Sequence, residues 1–384
     1  MDERDYRLLH IAAYAALFVI GMYAASFGPV FPFLADDLDI SVDTAGLLLT
    51  ALFFGSILAS SSIAIALHGR DMRRLTTLGL VAMVAGVTTI GLAPNLWVAL
   101  IGGAVLGAGD GLVIAALHIL MAITSREPAR AISRLNLWFA VGAFAGPLWA
   151  GGILQTTEER ALVYGGIGVV AVIALVLMLL AEAPSHDVVA PREEKLALPG
   201  NPTAWFMGGV LFLYVGAEFG LGTWVSEYAK ETTDASVFGA AVLTSGYWGA
   251  LALGRVASTW YFSRQRDASI LLLVSVGGAG ISALVLALST GNLAISAAAA
   301  FGAGFFLGPV WPTTVAIASS RGAVAGTTAA TVTMGNAGGL ALPWLQGKIL
   351  VGAGPAQGVA VTAVLCALMF VAASVFRFRR ETAG

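Results

Sequence analysis

The sequence GGAVLGAGDGLVIAALHILMAITSR, residues 102–126, decides the fold. It is almost entirely apolar and longer than the roughly 20 residues that a helix needs to cross a bilayer. Asp110 nevertheless lies near its middle, and His118 lies eight residues further along. An apolar segment of this length predicts a transmembrane helix, and the acid within it indicates a functional site.

The same segment recurs half a chain later. Gly107-Ala108-Gly109 matches Gly302-Ala303-Gly304 at an offset of 195 residues. Gly55 matches Gly249 at an offset of 194, and Pro147 matches Pro343 at an offset of 196. Because one offset drifts by a single residue on either side across separate segments, the sequence predicts a tandem repeat of two halves.

The composition is that of a membrane protein. The chain has 384 residues, of which 58% are hydrophobic and 11% charged, whereas about 25% of the residues of a soluble domain are charged. The formal net charge of −2 argues against nucleic acid as a partner. No group of residues has metal-ligand spacing, and no nucleophile–base pair indicates an enzyme.

Apolar runs between charged or Pro/Gly/Asn breaks predict an all-α integral membrane protein with twelve transmembrane helices in two six-helix bundles. The predicted spans are approximately 8–34, 44–67, 73–93, 95–124, 131–154, 161–182, 203–229, 236–262, 268–289, 292–319, 323–351 and 356–377.

Lys and Arg residues set the expected orientation. With the N-terminus inside, the inner segments carry 16 of the 20 and the outer loops carry three, Arg160, Lys230 and Lys348. Both termini are therefore expected in the cytoplasm, in a multi-pass protein of the inner (plasma) membrane. The polar segment 183–202 is expected to link an N-terminal bundle, 1–182, to a C-terminal bundle, 203–384, as a tether or a regulatory segment.

Two six-helix repeats with a cytoplasmic middle loop resemble the major facilitator superfamily over the whole chain. The loop HGRDMRR resembles the basic loop of the family, which implies a cytoplasmic gating role for Gly69, Asp71, Arg73 and Arg74. Four further stretches are similar to the fucose/glucose–proton symporter branch: FLYVGAEFGLGTW (212–224), GRVASTWYFSR (254–264), LNLWFAVGAFAGPL (135–148) and GPVWPTTVAIAS (308–319).

The resemblance implies transport by alternating access around a site near the bilayer midplane. Gly347-Lys348-Ile349 lacks the spacing of a phosphate loop. We therefore expect a proton gradient rather than a cofactor to drive transport. The expected partners are a small-molecule substrate, protons and the lipid bilayer, and the expected state is a monomer.

Three charges lie deep within predicted spans. Asp110 and Glu218 each lie about 15 residues into their helices, one in each half. A carboxyl at this depth can load and release a proton, which proton coupling requires. The alternative is a protonated acid that only bonds a neighbouring helix. Relative to the branch, Asp110 follows Gly-Ala-Gly at once rather than after about three residues, and no acid occupies the helix-one region around Tyr23.

Arg255, the third deep charge, is expected either to pair with Glu218 or Asp110 or to extend its side chain toward the inner surface. His118 is expected either to relay a proton or to be a structural polar residue near the cytoplasmic exit.

Polar and aromatic residues within spans are the candidates for the substrate cavity. They are Tyr23, Asn136, Trp138, Trp224, Tyr247, Trp248, Trp311, Asn336 and Gln346. Three amides are few for a hexose site, which keeps an amphipathic substrate open. The sequence therefore favours a proton-coupled symporter of a sugar or similar small solute. The alternatives are a proton-driven exporter of amphipathic drugs or lipids on the same fold and a non-transporting membrane sensor.

Overall fold

A computed structural model describes residues 6–66, 71–182, 202–264, 266–320 and 325–381, and no strand occurs within these ranges. The helices are α1 (Arg7–Leu38), α2 (Val42–Ala45), α3 (Leu47–Ala66), α4 (Met72–Gly91), α5 (Leu96–Thr124), α6 (Pro128–Thr157), α7 (Arg160–Leu180), α8 (Pro202–Thr232), α9 (Val237–Ser263), α10 (Ala268–Leu288), α11 (Leu293–Leu307), α12 (Val310–Ser320), α13 (Ala325–Ala353) and α14 (Pro355–Glu381).

Helices account for all of the predicted spans. Eleven helical segments within the described ranges are long and apolar enough to cross a membrane. The helix at the remaining predicted span, α13, has 29 residues, about 44 Å at 1.5 Å per residue. The predicted all-α membrane fold is confirmed. The tenth predicted span differs in detail, because it is divided into α11 and α12 at Gly308-Pro309, where proline removes a backbone donor.

The chain divides into two compact units. Unit 1 comprises residues 1–41 and 47–192, and unit 2 comprises 42–46 and 193–384. The chain passes from one unit to the other inside the predicted linker, of which 183–201 lies outside the described residues. Residues 42–46 belong to unit 2, whereas the sequence predicts them in the first bundle. The bundle limits read from the sequence stay a prediction.

Glycines bring helices into backbone contact within each unit. In unit 1, Gly103, Gly107 and Gly111 of α5 face Leu48, Leu52 and Ser56 of α3, and a Cβ at Gly107 or Gly111 would overlap the facing carbonyl group. In unit 2, Gly304 and Gly308 lie in the same way against Tyr247 and Leu251. The close helix contacts expected from these glycines are confirmed. In unit 1 they fix the register that places Ser56 beside the middle of α5.

One end of unit 1 is held by a buried arginine. Arg160, at the start of α7, donates to the carbonyls of Ile90 (2.8 Å) and Ala93 (2.7 Å) and forms an ion pair with Asp37. Asp37 lies in the last turn of α1, which continues past the predicted end at 34. These bonds join α1, α4 and α7 and satisfy carbonyls that end α4. These bonds therefore fix the positions of α1, α4 and α7 relative to one another at this end of unit 1.

Candidate functional site

Asp110 is the central acid of unit 1. It lies midway along α5 and is 8% exposed. The hydroxyl of Tyr23, from the middle of α1, donates to Oδ1 at 2.8 Å, and the hydroxyl of Ser56, from α3, donates to Oδ2 at 3.1 Å. Both partners are buried. Three helices thus converge on one carboxyl whose hydrogen-bond partners are neutral hydroxyls.

Glu218 is the central acid of unit 2. It lies at the middle of α8, and its Oε1 forms an ion pair with Nη2 of Arg255 from α9 at 2.7 Å. The Tyr214 hydroxyl lies 3.5 Å from the same Nη2, and the Tyr247 hydroxyl donates to the backbone carbonyl of Glu218 at 2.9 Å. The sequence left Glu218 and Asp110 open as ion-pair partners of Arg255, and in the structure the pair forms with Glu218.

The ion pair is exposed unequally. The Glu218 side chain is 5% exposed, whereas the Arg255 side chain is 28% exposed. The guanidinium is therefore the more exposed member of the pair. Because a buried unpaired charge is costly, the pairing explains how two ionisable groups are tolerated at this depth.

His118 does not bond to Asp110. Its Nδ1 lies 2.7 Å from the Ile114 carbonyl of its own helix, one turn away, and Asp110 bonds to Tyr23 and Ser56 instead. The proton-relay role of His118 stays a prediction.

The cavity candidates occupy different surroundings. Trp311 lies near the ion pair, with its ring 6.0 Å from that of Tyr214. Tyr247 and Trp248 are buried on α9. In unit 1, Asn136 is exposed on α6, and Trp138 is exposed with its ring stacked 6.3 Å from that of Tyr14.

Two other candidates bind neighbouring helices of unit 2. Trp224 donates to the Pro343 carbonyl at 2.7 Å, and the Gln346 amide lies 3.3 Å from the Thr362 hydroxyl. Both are fully buried, whereas Asn336 is half-buried on α13. The structure thus brings Tyr23 to Asp110 and Tyr247 and Trp311 to the Glu218 region, and places the others elsewhere. Substrate contact stays a prediction for the whole set.

The basic loop contacts its own unit. Asp71 caps α4 by accepting from the backbone amides of Arg73 (2.9 Å) and Arg74 (3.2 Å), and it pairs with the Arg74 side chain at 3.3 Å. The Arg73 guanidinium donates to the carbonyls of Met178 and Leu179 at the end of α7. Gly69 lies outside the described residues. The gating role of this loop stays a prediction.

Sequence analysis missed two site residues, Ser56 and Tyr214. Tyr214 precedes Glu218 by four residues and therefore shares its helix face, which is a detectable signal. Ser56 could have been found from the glycine ladder, since Gly111 lies against it. Within the described ranges, no group of three or more His, Cys, Asp or Glu side chains is arranged to hold a metal ion.

Comparison with known proteins identifies the family. The family model described as Major Facilitator Superfamily matches residues 13–343. The chain belongs to this superfamily. The membership predicted from the sequence is confirmed, and members of the superfamily are transporters.

Curated relatives extend over part of the chain only. Protein TsgA of Escherichia coli is 30% identical over 193 residues, which are 48% of this chain and 46% of that protein. The chain thus spans about half the length of the curated relatives it matches.

Solved structures share the fold over nearly the whole chain. A crystal structure of the E. coli fucose:proton symporter FucP covers 98% of this chain and 99% of its own, with a TM-score of 0.65 at 18% identity. Another FucP structure, in the outward conformation, gives a TM-score of 0.66. A POT family transporter in complex with 5-aminolevulinic acid gives 0.75 at 14% identity, covering 97% of this chain and 96% of its own. At these identities the likeness shows the fold alone.

Proposed function

We propose that the chain is a proton-coupled secondary transporter that imports a sugar or similar small solute by alternating access. Membership of a transporter superfamily supports the transport function. The observation that carries the proposal is the pair of buried acids, Asp110 and Glu218, each at the middle of a long apolar helix with its own partners. Proton coupling requires carboxyls that can change protonation within the membrane.

Asp110 is suited to exchange a proton alone. A hydroxyl can donate to a carboxylate or accept from a carboxylic acid, so Tyr23 and Ser56 can bond Asp110 in either protonation state. Glu218 behaves differently, because its protonation removes the counter-ion of Arg255. We therefore assign both acids to proton coupling, with proton binding at Glu218 dependent on a change at Arg255.

The test is proton movement in proteoliposomes that contain a pH-sensitive dye. We expect a sugar or related solute to acidify the lumen of vesicles with the wild-type protein. Asp110→Asn and Glu218→Gln should each abolish that acidification while exchange of labelled solute across the membrane persists. If both variants move protons like the wild type, the two acids have a structural role and the assignment of the coupling site to them is wrong.

The alternative is a proton-driven exporter of amphipathic drugs or lipids. The small number of amides within the spans favours it, since a sugar site would combine aromatic faces with several hydrogen-bonding amides. Of the three amides, Gln346 lies fully buried beside Thr362 and Asn136 is exposed. Proton movement by amphipathic compounds, with none by small polar solutes, would favour export over import. Proton movement of either kind would exclude a non-transporting sensor.

The remaining proposals concern location and energy source. We place the protein in the inner (plasma) membrane with both termini in the cytoplasm, as a monomer that binds no nucleic acid. The distribution of Lys and Arg supports this orientation. The proton gradient, rather than a bound cofactor, is the proposed source of energy.

A further inference from the structure

We infer that the transported solute carries a carboxylate, which binds the Arg255 guanidinium in place of Glu218. This inference rests on the proposed proton-coupled transport and names its substrate class. Small sugar acids fit the class, since they join a carboxylate to a hydroxylated ring.

The first support is the number of donors left on Arg255. A guanidinium carries five N–H donors on three nitrogens. Both described contacts of this group, to Glu218 at 2.7 Å and to the Tyr214 hydroxyl at 3.5 Å, involve Nη2 alone. Nη1 and Nε have no acceptor among these contacts, and protonation of Glu218 frees Nη2 to complete a fork that binds a carboxylate with two parallel hydrogen bonds.

The second support is access. The side chains of Arg255 and Glu218 are 28% and 5% exposed, and Asp110 is 8% exposed. Of these three charges, the positive one is the most exposed. A neutral sugar would leave the free donors of this cation without a charged acceptor, whereas a carboxylate supplies one.

The third support is charge balance. The ion pair is neutral, so a bound carboxylate adds one negative charge at a depth where an uncompensated charge is costly. A proton that binds Glu218 removes this excess. Glu218 then becomes a neutral acid, its ion pair with Arg255 breaks, and the ion pair between Arg255 and the solute forms. Release of solute and proton on the other side restores the original pair, so the proton on Glu218 balances the charge of one monocarboxylate.

The neighbouring groups are compatible with this exchange. The Tyr214 hydroxyl lies 3.5 Å from Nη2 of Arg255, and the Tyr247 hydroxyl donates to the backbone carbonyl of Glu218, a bond that protonation of the side chain leaves in place. The half-buried ring of Trp311, 6.0 Å from that of Tyr214, offers an apolar face for the body of a small solute.

The experiment compares ligands that differ only at one group. Binding of glucuronate and glucose, and of galacturonate and galactose, is measured by calorimetry on the purified full chain. We expect each acid to bind about tenfold or more tightly than its neutral partner, as charge-assisted bidentate bonds require. Arg255→Gln should abolish the preference and Arg255→Lys should reduce it, because lysine keeps the charge and loses the fork.

The matched control is Arg264→Gln, which removes an arginine that ends the same helix and stacks on Trp260. It should keep the preference for acids. Equal or tighter binding of the neutral sugars, or no binding of either acid, would overturn the inference.

Proteoliposomes separate this inference from the proposed function. The inference predicts that glucuronate or galacturonate moves protons into vesicles that contain the wild-type protein. If glucose or galactose moves protons and the acids do not, the carboxylate inference fails and proton-coupled transport stands. If no solute of any class moves protons, both fail.

Discussion

The two mid-helix acids have opposite electrostatic surroundings. Asp110 in unit 1 accepts hydrogen bonds from two neutral hydroxyls, whereas Glu218 in unit 2 pairs with a guanidinium. Proton binding at Asp110 leaves its partners satisfied, but proton binding at Glu218 leaves a cation without its counter-ion. A position at the middle of a long apolar helix therefore does not give two acids the same role, because their partners decide what each can do.

The largest expected effect is the loss of one member of the ion pair. Arg255→Gln leaves Glu218 as a buried charge without a counter-ion, which costs about 3–5 kcal/mol. The thermal unfolding midpoint of the purified protein in detergent should fall accordingly. The double variant Arg255→Gln with Glu218→Gln should recover part of the loss, since no charge remains. Losses that simply add in the double variant would show that the pair is not coupled.

A smaller effect is expected where α5 meets α3. A methyl group at Gly107 would overlap the backbone of Leu52, so Gly107→Ala must push the helices apart at a cost of about 1–3 kcal/mol. The separation should also weaken the bond from Ser56 to Asp110. Gly165→Ala in α7 is the control, because nothing lies within 4 Å of its added Cβ. The prediction concerns the difference between the two variants in the same thermal unfolding assay, and equal midpoints would contradict it.

Removal of one hydroxyl from Asp110 should have a modest effect. Tyr23→Phe or Ser56→Ala deletes one donor and keeps the other, with an expected loss of about 0.5–1.5 kcal/mol. Proton uptake into proteoliposomes should slow without stopping. Tyr164→Phe removes a buried hydroxyl of unit 1 that has no hydrogen-bond partner among the described residues, and it should not slow uptake. An equal effect of Tyr164→Phe and Tyr23→Phe would show that the bond to Asp110 is unimportant.

The smallest effect on stability is expected for Asp110→Asn. The amide has nearly the shape of the carboxyl and can bond both Tyr23 and Ser56, so the unfolding midpoint should change by the equivalent of less than about 1 kcal/mol. Proton-driven uptake should nevertheless be lost, because the amide binds no proton. A large drop in the midpoint would indicate that Asp110 has a structural role.

Much of the fold was predictable from sequence. The positions of the helices follow from the length of the apolar runs, and the contacts at Gly107 and Gly304 follow from the spacing of small residues. The division of the tenth span at Gly308-Pro309 was not predicted, because an apolar run shows length without showing where backbone bonds are interrupted. Asp37 was predicted in a loop, yet it lies in α1 and binds Arg160 across 123 residues of sequence.

The site was predictable in part. The positions of Asp110, Glu218 and Arg255 along their helices follow from counting residues. The choice between Glu218 and Asp110 as the partner of Arg255 required the packing of α8 on α9, which no local pattern encodes. Trp224 and Gln346 were predicted as residues of the substrate cavity from residue type alone. Their bonds to Pro343 and Thr362 could not be anticipated from sequence.

The most direct test of the difference between the two acids is infrared spectroscopy of the purified, solute-free protein during acidification. The absorption band of a protonated carboxyl reports proton binding at Asp or Glu side chains. The predicted result is a component of this band that grows on acidification of the wild type, persists in Glu218→Gln and is missing from Asp110→Asn. A component that persists in Asp110→Asn and is missing from Glu218→Gln would contradict the assignment of substrate-independent proton binding to Asp110.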